Sequence, residues 1–109
     1  MSSRPEPMPI GGTGNPLWPE VIARYADRPA FTLAARERHE FGVAKYGVAL
    51  RAHNGRNARI DALQEAMDLI VYLEQMIQEE PNGWAAREIR QRQSGAVDLA
   101  QWLLEWGDQ

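Results

Sequence analysis

Apolar positions recur at helical spacing along most of this chain and nowhere alternate as a strand would, which predicts an all-α fold. The longest run, Ala58 to Glu80, consists of good helix formers without internal Pro or Gly, and Pro81, Asn82 and Gly83 close it. Before it, a helix is predicted from about Ala30 to Tyr46, with Gly47 placed to end it in a left-handed cap. A shorter helix is expected to begin near Pro19, because proline suits a first turn and Glu20 there complements the helix dipole; it should stop by Asp27 to Pro29. Residues 47–56 read as a loop. Trp84 to Gln93 and Ala96 to Trp106 read as helical, with Gly95 dividing them and Leu99, Trp102, Leu103 and Trp106 forming an apolar stripe. The expected architecture is a bundle of four to five helices.

Residues 1–16 hold four prolines and three glycines, a composition that predicts a flexible arm ahead of an all-α domain spanning 17–109. Gly11, Gly12 and Gly14 lack the following Gly-Lys-Ser/Thr of a phosphate-binding loop.

At 109 residues with 44% apolar and 25% charged positions, the chain has the composition of a single globular domain. Such a domain buries about 60–65% of its unfolded surface, so self-association into a homodimer or homotetramer is expected. There is no cysteine, which excludes disulfides, thiolate zinc sites and cysteine nucleophiles. No apolar stretch is long enough for a membrane span and Met1 to Pro9 has no secretory pattern, so a cytoplasmic protein without membrane partners is expected. The net charge of −3 carries no basic run, which argues against polymeric nucleic acid as a partner. The charge is unevenly spread, with eight Lys/Arg against five Asp/Glu in residues 1–57 and four against ten in residues 58–109.

Much of that acid is patterned. Wound at 3.6 residues per turn, Asp61, Glu65, Asp68, Tyr72, Gln75 and Glu79 fall on one stripe with no Lys or Arg, while apolar residues occupy most of the remaining circumference. The helix is therefore expected to be buried on nearly all sides. Like charges one turn apart repel, and a stripe of one sign on a packed helix calls for a counterion. On the preceding helix Glu37 and Glu40 share a side with Leu33, Phe41 and Ala44, which predicts two carboxylates on its buried face. Unpaired carboxylates facing one another across helices cost several kcal/mol each, so a cation is expected between them. An all-oxygen donor set suits a hard divalent ion, Mg²⁺ or Mn²⁺.

Glu37-x-x-Glu40, a gap of 24 residues, then Glu65-x-x-Asp68 resembles the signature of the all-α nucleoside triphosphate pyrophosphohydrolases, the superfamily of MazG, dimeric dUTPase and phosphoribosyl-ATP pyrophosphohydrolase. With Lys45-Tyr46-Gly47, Asn54-Gly55-Arg56, Asp61 and Tyr72, residues 30–80 look like the small MazG-like proteins of phages and prophages; the Trp-rich tail at 84–106 lies outside the likeness. Two positions depart from the pattern: Arg36 stands where a second acid usually precedes Glu37, and Asn57 where an Asp often follows Arg56. The resemblance implies a MazG-like helical bundle that oligomerises and cleaves a (deoxy)nucleoside triphosphate to the monophosphate and pyrophosphate. It implies Glu37, Glu40, Glu65 and Asp68 as metal ligands, with Asp61 as a fifth or outer acid. Lys45, the sole lysine, and Arg56 would neutralise the triphosphate, and Asn54 and Tyr72 are further substrate-contact candidates.

Plainer readings stand beside these. Glu65 and Asp68, or Glu37 and Glu40, can be solvated faces; Lys45 a surface lysine; Asn54 and Arg56 the shapers of a helix-leading loop. His39 and His53 are expected in solvent, and Trp84, Trp102 and Trp106 in packing or a subunit interface. At the level of function, the rivals are a nucleotide-binding protein of the same fold that does not hydrolyse, and a structural helical oligomer.

Overall fold

A computed structural model of the chain describes residues 11–107, and all regular structure among them is helical: α1 (Leu17–Arg24), α2 (Pro29–Tyr46), α3 (Ala58–Glu79) and α4 (Gly83–Gly107). No helix is long and apolar enough to cross a membrane among the described residues. The described residues group into two compact units, one ending at Arg56 and the other starting at Asn57.

The first unit contains α1 and α2. Pro16 sits at the N-cap of α1, which starts two residues before the expected Pro19, and Glu20 and Arg24 complement the two ends of its dipole. The corner into α2 is made by aromatic and cationic side chains: the Tyr25 and Phe31 rings meet edge to face at 5.8 Å, and the Arg28 guanidinium lies 5.5 Å from the Tyr25 ring centroid. Pro29 occupies the first turn of α2, where its missing N–H costs nothing, and Gly47 closes the helix at φ 77°, its N–H donating to the Val43 carbonyl.

Part of the predicted arm is tied down. Residues 1–10 lie outside the described residues, but the Thr13 N–H donates to the Ala52 carbonyl and the Leu17 N–H to the Leu50 carbonyl, both at 2.8 Å. The Arg51 Nε adds a hydrogen bond to the Gly14 carbonyl. Gly12 is required here: its φ is +74°, and a Cβ would lie 2.5 Å from the Ala52 carbonyl oxygen.

The second unit is an antiparallel pair of α3 and α4. Asn57 caps α3, its side-chain oxygen accepting the Ile60 N–H at 3.1 Å. Pro81 ends the helix, and Asn82 starts the next by accepting the Trp84 N–H at 2.9 Å. Buried residues recur at three and four positions along both partners, as Leu63, Ala66 and Ile77 on α3 and Ala96, Ala100 and Leu103 on α4, the spacing of a helix–helix seam. Two polar contacts set the register. Arg59 donates to the Leu103 carbonyl and lies under Gly107, placing a cation at the C-terminal end of α4, where the dipole favours it. Midway, Gln93 donates to both the Ile70 carbonyl and Glu74. Hydrogen bonds from Gln78 and Gln93, together with the Arg90 charge, hold the Glu74 carboxyl below the usual glutamate range. This contribution is present above the ordinary glutamate pKa and lost as pH falls through the lowered one.

Two expectations are corrected in this unit. Gly95 does not divide the tail: α4 runs unbroken for 25 residues, because a helical glycine costs only about 1 kcal/mol and Gln93, Ala96 and Ala100 keep α4 packed on either side of it. Nor is α3 buried all round. Within the second unit α4 covers one side of α3, and Leu69, Val71 and Met76 remain 46%, 66% and 51% exposed.

Removing the Asn57 cap leaves a first-turn N–H of α3 without its partner. Asn57→Ala should lower the stability of the chain by about 1 kcal/mol, read as a reduced thermal midpoint by circular dichroism.

Candidate functional site

The acidic stripe on α3 forms as its periodicity requires. The seam residues Leu63, Ala66, Ile70 and Ile77 point to α4, so the side carrying Asp61, Glu65, Asp68 and Tyr72 points away from it. Asp61 is half-buried; Glu65, Asp68 and Tyr72 are exposed. Further along, Gln75 donates to both carboxylate oxygens of Glu79 at 3.2–3.3 Å. Leu69 and Met76 on one flank and Val71 on the other are exposed beside the carboxylates, giving an acidic strip with apolar margins.

The segment just before α3 is shaped by unusual backbone angles. His53 has φ 56° and Gly55 φ 86°, both in the left-handed region that His tolerates better than most residues and Gly adopts freely. Between them Asn54 is buried, and its side-chain oxygen accepts the Arg56 N–H at 3.1 Å in an Asx turn. The Asn54 oxygen therefore builds the turn, and Arg56 emerges from it half-buried.

On α2 the buried face lies opposite to the expected one. Thr32 and Ala35 are buried and His39 and Gly42 half-buried, whereas Glu37 and Glu40 are exposed, as are Leu33 at 59% and Phe41 at 56%. Small residues line the buried side, and the large apolar ones that marked the opposite face in the sequence stay outside. The Arg38 guanidinium covers the Phe41 ring at 5.2 Å from its centroid, which gives that exposed aromatic a cationic partner. Lys45 lies in the last turn of α2, exposed, with its Nζ 5.2 Å from the Tyr46 ring centroid.

The first unit thus presents Glu37 and Glu40 one turn apart on α2 and Lys45 near its end, and the second presents Asp61, Glu65, Asp68 and Tyr72 along one side of α3. Among the described residues no group of three or more Asp, Glu or His side chains is drawn together as a metal-binding cluster. His39, expected in solvent, instead borders a small recess lined also by Gly42, Val43, Tyr46 and Leu50. Its position on the Ala35 and Gly42 side was the available signal. No protein-family model, curated protein or solved structure matches this chain.

Proposed function

We propose that the chain is a MazG-like nucleoside triphosphate pyrophosphohydrolase, dependent on Mg²⁺ or Mn²⁺ and working as a homodimer or homotetramer. The observation that carries this reading is the α3 face: Asp61, Glu65 and Asp68 at successive turns on the side away from α4, without a Lys or Arg among them, directly after the turn that presents Arg56. Carboxylates are hard oxygen donors, the ligand type that Mg²⁺ and Mn²⁺ take. In this reading α3 offers Asp61, Glu65 and Asp68 to the metal, and Glu37 and Glu40 are the carboxylates α2 offers. When bound, the ion supplies Lewis acidity to phosphate oxygens and acidity to a coordinated water.

The chain's own groups do the rest. Water adds to the α-phosphorus, the α–β anhydride bond breaks, and pyrophosphate leaves with the bonding pair; one of these carboxylates takes the proton of the attacking water. Lys45 and Arg56 offset the charge gathering on the departing pyrophosphate, and the exposed Tyr72 ring is the base or sugar contact that α3 itself provides. The flanking Leu69, Val71 and Met76 support a covered site, since apolar margins around a charged strip exclude water once a partner or substrate is seated.

Incubation with a panel of ribo- and deoxynucleoside triphosphates and Mg²⁺ or Mn²⁺ should release equimolar pyrophosphate and monophosphate from at least one of them. Release of orthophosphate alone, or of nothing, removes the reading. Arg36, where the family pattern has an acid, favours a second possibility of nucleotide binding without turnover; calorimetry would then show binding that Glu65→Gln leaves unchanged.

A further inference from the structure

Besides the seam it shares with α3, α4 carries an exposed aromatic stripe. On its outer side Trp84, Glu88, Gly95, Leu99, Trp102 and Trp106 recur at gaps of three, four and seven residues, the repeat of a helix that meets another helix. The apolar members are well exposed: Trp84 at 68%, Leu99 at 47%, Trp102 at 54% and Trp106 at 55%. The Trp102 and Trp106 rings stack with centroids 6.1 Å apart and planes 20° from parallel. At the middle of the stripe lies Gly95. A Cβ there would meet nothing within 4 Å, so the packing within the chain gives no reason for glycine, and a mid-helix glycine weakens α4. A backbone approaching closely from outside supplies the reason.

The aromatic ends of the stripe are symmetric about Gly95. Trp84 and Trp106 stand eleven residues to either side of Gly95, and Glu88 and Trp102 seven. We propose that α4 pairs antiparallel with α4 of a second copy about a two-fold axis at Gly95. In that register the two glycine backbones cross at the centre, each Trp106 meets the partner's Trp84, and each Trp102 meets the partner's Glu88. The same patch serves both copies, as a closed two-fold interface requires. The exposed parts of the three indoles and Leu99 amount to roughly 1,000 Å² for the pair, about the least that a stable interface buries. This deepens the oligomer proposed above by naming its contact; its readout is mass and cross-linking rather than turnover, so the two can fail separately.

The chain lacks cysteine, so single introduced thiols report the geometry without background. Light scattering on the full chain should give two or four times the 12.3 kDa chain mass. Gly95→Cys should oxidise to a covalent dimer, since disulfides form only across Cα separations of about 4.4–6.8 Å. An equimolar mixture of Trp84→Cys and Trp106→Cys should give mostly the mixed disulfide, whereas each alone should cross-link poorly. Gly95→Leu should weaken the dimer at least tenfold while helical circular dichroism is retained. A dimer in which Trp84→Cys pairs with itself as readily as with Trp106→Cys overturns the antiparallel register. A monomer at about 100 μM overturns the proposal altogether. Indole fluorescence in that monomer, shielded from a soluble quencher, would assign the stripe to another segment of the same chain; quenched fluorescence would leave it for a different partner.

Discussion

Glu65→Gln combined with Asp68→Asn should reduce pyrophosphate release by at least about 10²–10³-fold while leaving the chain as stable as before or slightly more so. Both side chains are exposed on the side of α3 away from α4, so the isosteric amides disturb no packing. In the protein without metal, the acids at successive turns repel one another by a few tenths of a kcal/mol each, and neutralising two of them relieves that. In the proposed reaction the same charges would hold the metal ion. An amide binds a hard divalent ion far less well than a carboxylate, and losing one electrostatic element of a phosphoryl-transfer site costs about 10²–10³ in rate. The pairing of lost turnover with unchanged or raised stability separates a functional carboxylate from a structural one. A companion measurement follows from linkage: Mg²⁺ should raise the thermal midpoint of the unaltered chain, by an amount that grows with the metal concentration over its dissociation constant, and should leave the double variant unmoved. Full turnover in the double variant would remove Glu65 and Asp68 from the site.

What the sequence made legible was local. Gly47 ends α2 and Pro81 ends α3 because a left-handed cap and a missing N–H act within one turn of the chain. The α3 stripe was legible for the same reason: Asp61, Glu65 and Asp68 share a side whenever that segment is helical. What failed was the choice of partner faces. On α2 the size of Leu33 and Phe41 outweighed the small Thr32, Ala35 and Gly42 in the hydrophobic pattern, yet the small residues line the buried side. The pattern therefore places Glu37 and Glu40 on the buried side, whereas in the structure both are exposed.

The same cause accounts for other differences. The hydrogen bonds from Thr13 and Leu17 to the 50–52 segment join backbone atoms far apart in sequence and leave no trace in side-chain pattern. Gly95 read as a break because glycine is a poor helix former, but its cost of about 1 kcal/mol is outweighed by the seam on both sides of it. Asn54 was a candidate substrate contact on motif grounds, and the structure engages its side-chain oxygen in the turn before α3. Motif and turn are compatible demands on one residue. An Asx turn fixes the backbone from which the Arg56 side chain leaves.

Leu63→Ala should be the most damaging single change to the second unit, lowering stability by about 2–3 kcal/mol and shifting the urea midpoint of helical circular dichroism accordingly. The core there is thin: Leu63 and Leu103 pack with Ala66 and Ala100, and Ile70 closes one side. Two leucines thus supply most of its apolar volume, and each alanine already sits at the smallest size that fills the seam. Truncating Leu63 removes three carbons from a buried position, so a cavity term adds to the lost transfer energy. Val71→Ala is the matched control. Val71 is 66% exposed on α3, and its loss should change stability by no more than about 0.5 kcal/mol, with better helix propensity offsetting the lost surface. A seam assembled from alanines also predicts intolerance to growth. Ala100→Leu should cost about 1–3 kcal/mol by forcing α3 and α4 apart, and combining it with Leu63→Ala should recover part of both losses, because the added side chain lies beside the vacated volume. Strict additivity in that double variant would show that the two positions do not share a core.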